Sequence, residues 1–168
     1  MKKSAAGLLI ALVLGTQSAL SGQAPGRVVV AFLGFESADI AASGLGILDA
    51  LVRHEISIAP SYALVERSDL PDLMREQEFQ VSDSADPSKA VAIGRLIGAE
   101  KLVVGGVGIL GSLYIINLRM IDVATGTVDR SQTEEFIGSL EDLRKPVRIA
   151  AQKLLGIPGI DVAQGEFV

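Results

Sequence analysis

Apolar positions along this chain change period several times, and each change marks an element. Val28 to Leu33 is an unbroken β-branched and aliphatic run that continues into Gly34-Phe35, the pattern of a strand buried on both faces of a sheet. Such a strand needs helices on either side. Gly44 to Ser57 predicts the first, with Leu45, Leu48, Leu51, Val52 and Ile56 at helical spacing and Pro60 closing the segment. Tyr62 to Glu66 reads as a short second strand. Leu70, Leu73, Met74 and Val81 make the stripe of a second helix, whose other face carries Asp72, Arg75, Glu76 and Glu78 and whose N-cap is Ser68 or Asp69. After the acidic link Ser82-Asp83-Ser84-Ala85, Asp86-Pro87 starts a third helix, which turns Ala90, Ile93 and Ile97 to the core and ends at Gly98.

The second half of the chain alternates with period two. Lys101 to Leu110 and Leu113 to Val123 read as two long strands joined by Gly111-Ser112, an antiparallel hairpin. In its second arm Ile116, Leu118 and Met120 alternate with Asn117 and Arg119, one face buried and the other polar. A turn at Thr125-Gly126 leads into Thr127 to Ile137, polar enough to belong at an edge or facing solvent. Val147, Ala150, Ala151, Leu154 and Leu155 then form one face of a last helix, ended by Gly156 and Pro158. Ser139 and Asp142 resemble a capping box for it, while Pro146 places the start of regular helix there. The order β-α-β-α-α-β-β-β-α predicts an α/β domain, a mixed sheet of about five strands flanked by helices.

The N-terminus carries a different pattern. Met1-Lys2-Lys3, an apolar run from Ala5 to Leu14, and a small and polar stretch from Gly15 to Ala24 are the three parts of a secretory signal peptide. The run is too short for a membrane span, which takes about 20 residues. The expectation is an exported, soluble periplasmic protein: a leader over 1–24 cleaved after Ser21 or Ala24, a single domain over 25–158, and a tail over 159–168 without assignment. Leu20-Ser21-Gly22-Gln23 looks like the lipobox of a bacterial lipoprotein with Gln23 in place of the acylated Cys, so no lipid anchor is expected.

Composition narrows the chemistry. The 168 residues hold 15 Lys and Arg against 20 Asp and Glu, a formal charge of −5, and removal of Lys2 and Lys3 with the leader makes the balance more acidic. The only basic cluster, Arg144, Lys145 and Arg148, is too small a footprint for nucleic acid. No Cys and a single His argue against disulfides, thiolate or histidine metal sites and Cys nucleophiles, and no cofactor is expected. Gly106 to Gly111 spells G-x-G-x-x-G after a strand, but the following residues alternate as a strand where the dinucleotide fingerprint needs a helix N-terminus. These glycines read better as bulges or as close packing under a helix. His54 beside Glu55, and the acid pairs Asp83/Asp86 and Glu134/Glu135, offer no positioned nucleophile or base, so a non-enzymatic protein is expected. Arg67 leaves a buried strand just before a helix, where Glu76 or Gln77 two turns later can meet it, either to fix the corner or, with Glu66, as the rim of a partner site.

Several motifs in order resemble the CsgG/HfaB family of bacterial envelope components in curli secretion and holdfast attachment. They are Arg27 to Phe32 with Phe35; Val65-Glu66-Arg67 with Leu70 and Glu76-Gln77; Ile93 to Glu100, with Gly94, Gly98 and Ala99; Gly105-Gly106; and Leu118 to Val123, with Asp122, Thr125 and Gly126 after it. The same kind of domain occurs in the TolB N-terminal domain and in LpoB-type activators of penicillin-binding proteins. The resemblance spans Arg27 to Leu155 and implies these motif positions as structural or interface residues, a protein partner in the cell envelope, and self-association into a homo-oligomer as in the family's rings. The family's namesake inserts hairpins into the outer membrane. Here the only long hairpin, 101–123, is needed by the domain's own sheet, so no membrane-spanning segment is expected. Assembly or secretion of a surface structure is the implied role, with regulation of a cell-wall synthase as the alternative and an exported hydrolase using acidic residues a third.

Overall fold

The computed structural model describes residues 26–65, 70–76 and 86–157. In chain order it holds β1 (Val28–Glu36), α1 (Ala42–Ile58), β2 (Tyr62–Leu64), α2 (Leu70–Glu76), α3 (Pro87–Ile97), β3 (Lys101–Leu110), β4 (Leu113–Asp122), β5 (Val128–Ile137) and α4 (Arg144–Leu155), the last preceded by a 3₁₀ turn at Leu140–Leu143. One sheet runs β2-β1-β3-β4-β5. β1 is parallel to both β2 and β3, and β3, β4 and β5 are antiparallel in turn, which is the expected mixed α/β sheet.

β1 is buried on both faces because it separates two cores. Val30 and Phe32 point to the larger, where Leu48, Val52 and Ile56 of α1 and Val147, Ala150 and Leu154 of α4 pack against Ile116, Leu118 and Met120 of β4. Ala31 and Leu33 point to the smaller, with Ile93 and Ile97 of α3 and Leu102, Val104 and Ile121 of the sheet. Each fully buried aliphatic side chain is worth about 1.5–3 kcal/mol, so the α1/α4 face carries most of the hydrophobic stabilisation. The alternation resets at Gly34, φ 107°, where the register against β3 shifts between Phe32 and Phe35. Phe35 therefore joins Phe32 on the larger core, the two rings edge to face at 5.7 Å.

The third helix follows its punctuation. The Asp86 carboxylate accepts from the Ser88 amide at 2.9 Å, Pro87 opens the helix, and Gly98 closes it at φ 74°. Elsewhere the bounds differ from expectation. α1 begins at Ala42, two residues before Gly44; β2 ends at Leu64, not Glu66; β5 begins at Val128. α4 begins at Arg144 and not at Pro146, since amides of a first turn have no partner within the helix and a proline there costs no hydrogen bond. Ser139 and Asp142 do meet, Oγ to Oδ2 at 2.7 Å, but they close the 3₁₀ turn and do not cap the helix. The leader, Ser68, Asp69, Val81 and the 159–168 tail lie outside the described residues. Among those described, no helix is long and apolar enough to cross a membrane.

Candidate functional site

Two of the family motifs, distant in sequence, meet at one corner of the sheet. Gly94 of α3 lies against Val123 so closely that a Cβ at position 94 would stand 2.4 Å from a Val123 methyl. Ala99, buried after the Gly98 cap, donates its amide to the Gly94 carbonyl at 2.9 Å, and the Val123 amide donates to Glu100 O at 3.0 Å. Lys101 Nζ then reaches Asp122 Oδ2 at 2.8 Å and Asp129 Oδ2 at 3.0 Å. Asp122 also accepts from the amide and hydroxyl of Thr125, and Gly126, φ 72°, donates to Asp122 O at 2.7 Å. The hydrogen bond from Lys101, and after it that from the Thr125 amide, pull the Asp122 carboxyl down to about 2. The same bond to Asp122 raises the Lys101 ammonium. These six motif positions thus build a corner and a turn. Of the others, Glu66, Arg67 and Gln77 lie outside the described residues, Leu70 opens α2, and Glu76 closes it in an exposed position.

The opposite end of the sheet is open. The chain leaves β1 through α1 toward β2 on one side, and leaves β2 through α2 and α3 toward β3 on the other. The C-terminal ends of β1 and β3 therefore flank the point where the winding reverses, the usual place for a binding crevice in an open α/β sheet. A groove of about 960 Å³ lies there, lined among others by Glu36, Ser37, Gly106, Gly108, Asn117 and Arg119. Gly106 and Gly108 are strand residues with no helix after them, so the phosphate-cradle geometry is absent. Nor are they bulges or packed under a helix, the two readings the sequence suggested: both pair in regular register with Asn117 and Ile115 of β4. It is Gly105 that is packed, and under the Phe35 ring of β1, 2.3 Å from where its Cβ would be. A Cβ on Gly106 would come no nearer than 4.0 Å to anything, the Glu36 carbonyl, and one on Gly108 would meet only open space. The floor of the groove is bare backbone.

Its rim is fixed by local polar contacts. Ser37 Oγ accepts from the amides of Asp39 and Ile40, both at 3.1 Å, which makes it a turn-former and not an activated nucleophile. Asp39 Oδ2 accepts from the Ile109 amide at 3.1 Å and ties the β1–α1 loop to β3. Asn117 Nδ2 donates to Thr133 Oγ1 at 2.9 Å and continues the polar face onto β5. The arrangement presents carboxylates, an amide, the Arg119 side chain, main chain and apolar side chains such as Leu45 and Ile115 on an open surface, which suits contact with another polypeptide better than chemistry on a small molecule.

Two polar devices escaped the sequence reading. Asp49 and Arg53, one turn apart on α1, reach the edge of β1 beyond the end of β2. There Asp49 Oδ1 accepts from the Phe35 amide at 2.8 Å, and Arg53 donates to Phe32 O at 3.2 Å while lying over the Phe32 ring. Burial raises the Asp49 carboxyl, against the opposing pull of the Phe35 amide and Arg53. Glu55, only 2% exposed, is held by Arg148 Nε and Gln152 Nε2 of α4, each at 3.0 Å. Its neighbour His54 faces solvent. The i, i+4 spacing of Asp49 and Arg53 was a readable signal; the burial of Glu55 had none beyond its place beside Ile56.

A sequence model of the family described as "Curli production assembly/transport component CsgG" matches residues 20–112, a stretch that includes β1 to β3 and α1 to α3. No curated protein matches the sequence. Among solved structures, the C-terminal domain of LpoB from Salmonella enterica superposes with a TM-score of 0.53 at 15% identity, covering 70% of this chain and 87% of that one. Lipoprotein GNA1162 from Neisseria meningitidis gives 0.56 at 10% identity over 79% of this chain and 100% of that one. A PelC dodecamer from Paraburkholderia phytofirmans gives 0.50 at 13% identity over 79% and 90%. At such identities the likeness is one of fold.

Proposed function

Because the chain belongs to the CsgG family, we propose that it is an exported, periplasmic envelope protein that acts by protein–protein contact in the assembly or secretion of a cell-surface structure. The observation that carries this reading is the family match over residues 20–112, more than half of the chain. The open groove at the β1/β3 switch point supports it as a surface for a polypeptide. The PelC structure of the same fold is a dodecamer, which favours self-association as part of the role. The fold shared with the LpoB C-terminal domain supports a second reading, a regulator docked on a cell-wall synthase.

The absolute mass of the mature protein, measured by light scattering on a periplasmic extract purified without detergent, separates the two. A discrete assembly of many chains is the outcome expected for the assembly role. A single-chain mass at all concentrations overturns that role and leaves the regulator.

A further inference from the structure

The two edges of the sheet are treated differently. The β2 edge is three residues long, paired to β1 from Tyr62 to Leu64. Beyond it the Val65 amide takes Val30 O at 2.8 Å, Arg53 takes Phe32 O, and Asp49 takes the Phe35 amide. That side of β1 is thus covered first by β2 and then by two side chains of α1. This is how natural sheets protect an edge against strand addition.

β5 is neither short nor capped in this way; its own edge devices are its charges, an inward-turned Arg130 and a shift at its start. It is ten residues long, contains no proline and no lysine, and pairs only with β4 among the described residues. Its one irregularity is the register shift at its start, opposite Met120 and Ile121. From there to Ile137 no strand among the described residues pairs with the outer row of N–H and C=O groups, and both ends are apolar and open: Val128 is 51% exposed and Ile137 72%. An unpaired main-chain ladder specifies its own ligand, another extended polypeptide, through the spacing of its donors and acceptors.

Charge selects which polypeptide. Asp129, Glu134 and Glu135 outnumber Arg130 along β5, and the Arg130 guanidinium is turned inward to Leu154 O at 3.2 Å. Asp129 and Glu134 are partly answered by Lys101 and Lys153, while Glu135 is exposed. A second copy of β5 would bring the same excess of acid, in a chain whose net charge is already −5. The hand of the fold also argues against one kind of strand from the same copy, a parallel one reached through α4. β5 runs parallel to β1, and α4 lies on the same face as α1, but a sixth strand beyond β5 lies in the opposite direction from β2. A parallel strand reached through α4 would thus have the opposite hand to the β1–α1–β2 unit, and crossovers of the reversed hand are about 2% of those known.

We infer that β5 is a strand-addition edge that takes an extended, basic segment of a partner protein as a sixth strand. The inference rests on the reading of the chain as a protein-contact module and names the kind of partner. Amide hydrogen exchange of the full mature chain, read residue by residue by NMR, tests it. Alternate β5 amides should exchange freely in the protein alone. A peptide of alternating lysine and valine should slow them about tenfold or more. The matching glutamate–valine peptide, and the lysine peptide with prolines at alternate positions, should leave them unchanged. Glu135→Lys should weaken the effect without moving the melting temperature.

Equal slowing by the acidic peptide, or none by any, overturns the inference. So does edge protection already present that disappears on truncation after Ile157, which would assign the strand to this chain, or on dilution, which would assign it to a second copy. A many-chain mass by light scattering together with no slowing would remove the edge and leave the proposed assembly role intact.

Discussion

Asp122 and Asp49 show how one residue type takes opposite roles in this fold. Asp122 is the junction of β4 and the turn into β5, and its carboxyl is held at about 2, against 3.8 when free, by Lys101 and Thr125. A lowered acid stabilises the fold wherever it is ionised, so its contribution is complete above pH about 4 and is lost as pH falls through about 2. Asp122→Asn should therefore cost a roughly constant amount from neutral pH to about pH 4, about 0.5–1 kcal/mol for a partly exposed ion pair, and the gap to wild type should close toward pH 2. Melting curves across that range check it; a gap that persists at pH 2 would assign the effect to packing. Lys101 carries the mirror relation, its raised ammonium supporting the fold below its free value of 10.5 and ceasing to do so as pH climbs through the raised one. Asp49 runs the other way again. Burial raises it, so the fold is supported less as pH rises and the buried carboxyl ionises.

Among the elements, α3 depends on a single absent side chain. With Gly94 pressed on Val123, Gly94→Ala would put a methyl 2.4 Å from a neighbour that is itself buried, and overpacking of this kind costs about 1–3 kcal/mol. Adding Val123→Ala should recover most of the loss, since it removes the methyls in conflict; chemical denaturation of the single and double variants measures both. Additive losses in the double variant would refute the contact. The sequence announces α3 itself through Asp86-Pro87 and Gly98, and it announces β1 and the β3–β4 hairpin through their periods, because these signals are local. The groove and the corner were only half legible. Gly94 and Asp122 stand out as motif positions, yet their meeting depends on how α3 and the β4–β5 turn are brought together. The shift at Gly34 is invisible in a run of apolar residues, and so the placement of Phe35 over Gly105 could not be read. The burial of Glu55 could not be read from its neighbours because the partners that hold it, Arg148 and Gln152, arrive from α4 at the far end of the chain.

For the molecule as a whole, the decisive feature is the unequal covering of the sheet. α1 and α4 cover one face across its width, while among the described residues α3, with Met74 of α2, packs on the other near Ala31, Leu33, Leu102 and Ile121. What the described residues leave of that second face is continuous: the groove floor at Gly106 and Gly108, Asn117 with Thr133, and the outer side of β5. Glycine inside a strand forfeits about 0.5–1 kcal/mol relative to alanine, and at position 108 neither a positive φ nor a close neighbour requires it. A glycine that the fold does not need is best explained by something outside the fold that approaches the backbone there. Gly108→Val should then raise stability by about 0.5–1 kcal/mol, because the side chain enters open space on a strand that favours β-branching. The same change should abolish in-cell cross-links from a photoreactive residue placed at Asn117, on the groove wall. A variant that is more stable and still cross-links as wild type would show that the groove floor is not a contact surface. A variant that is less stable would mean that the space above Gly108 is filled by the chain itself.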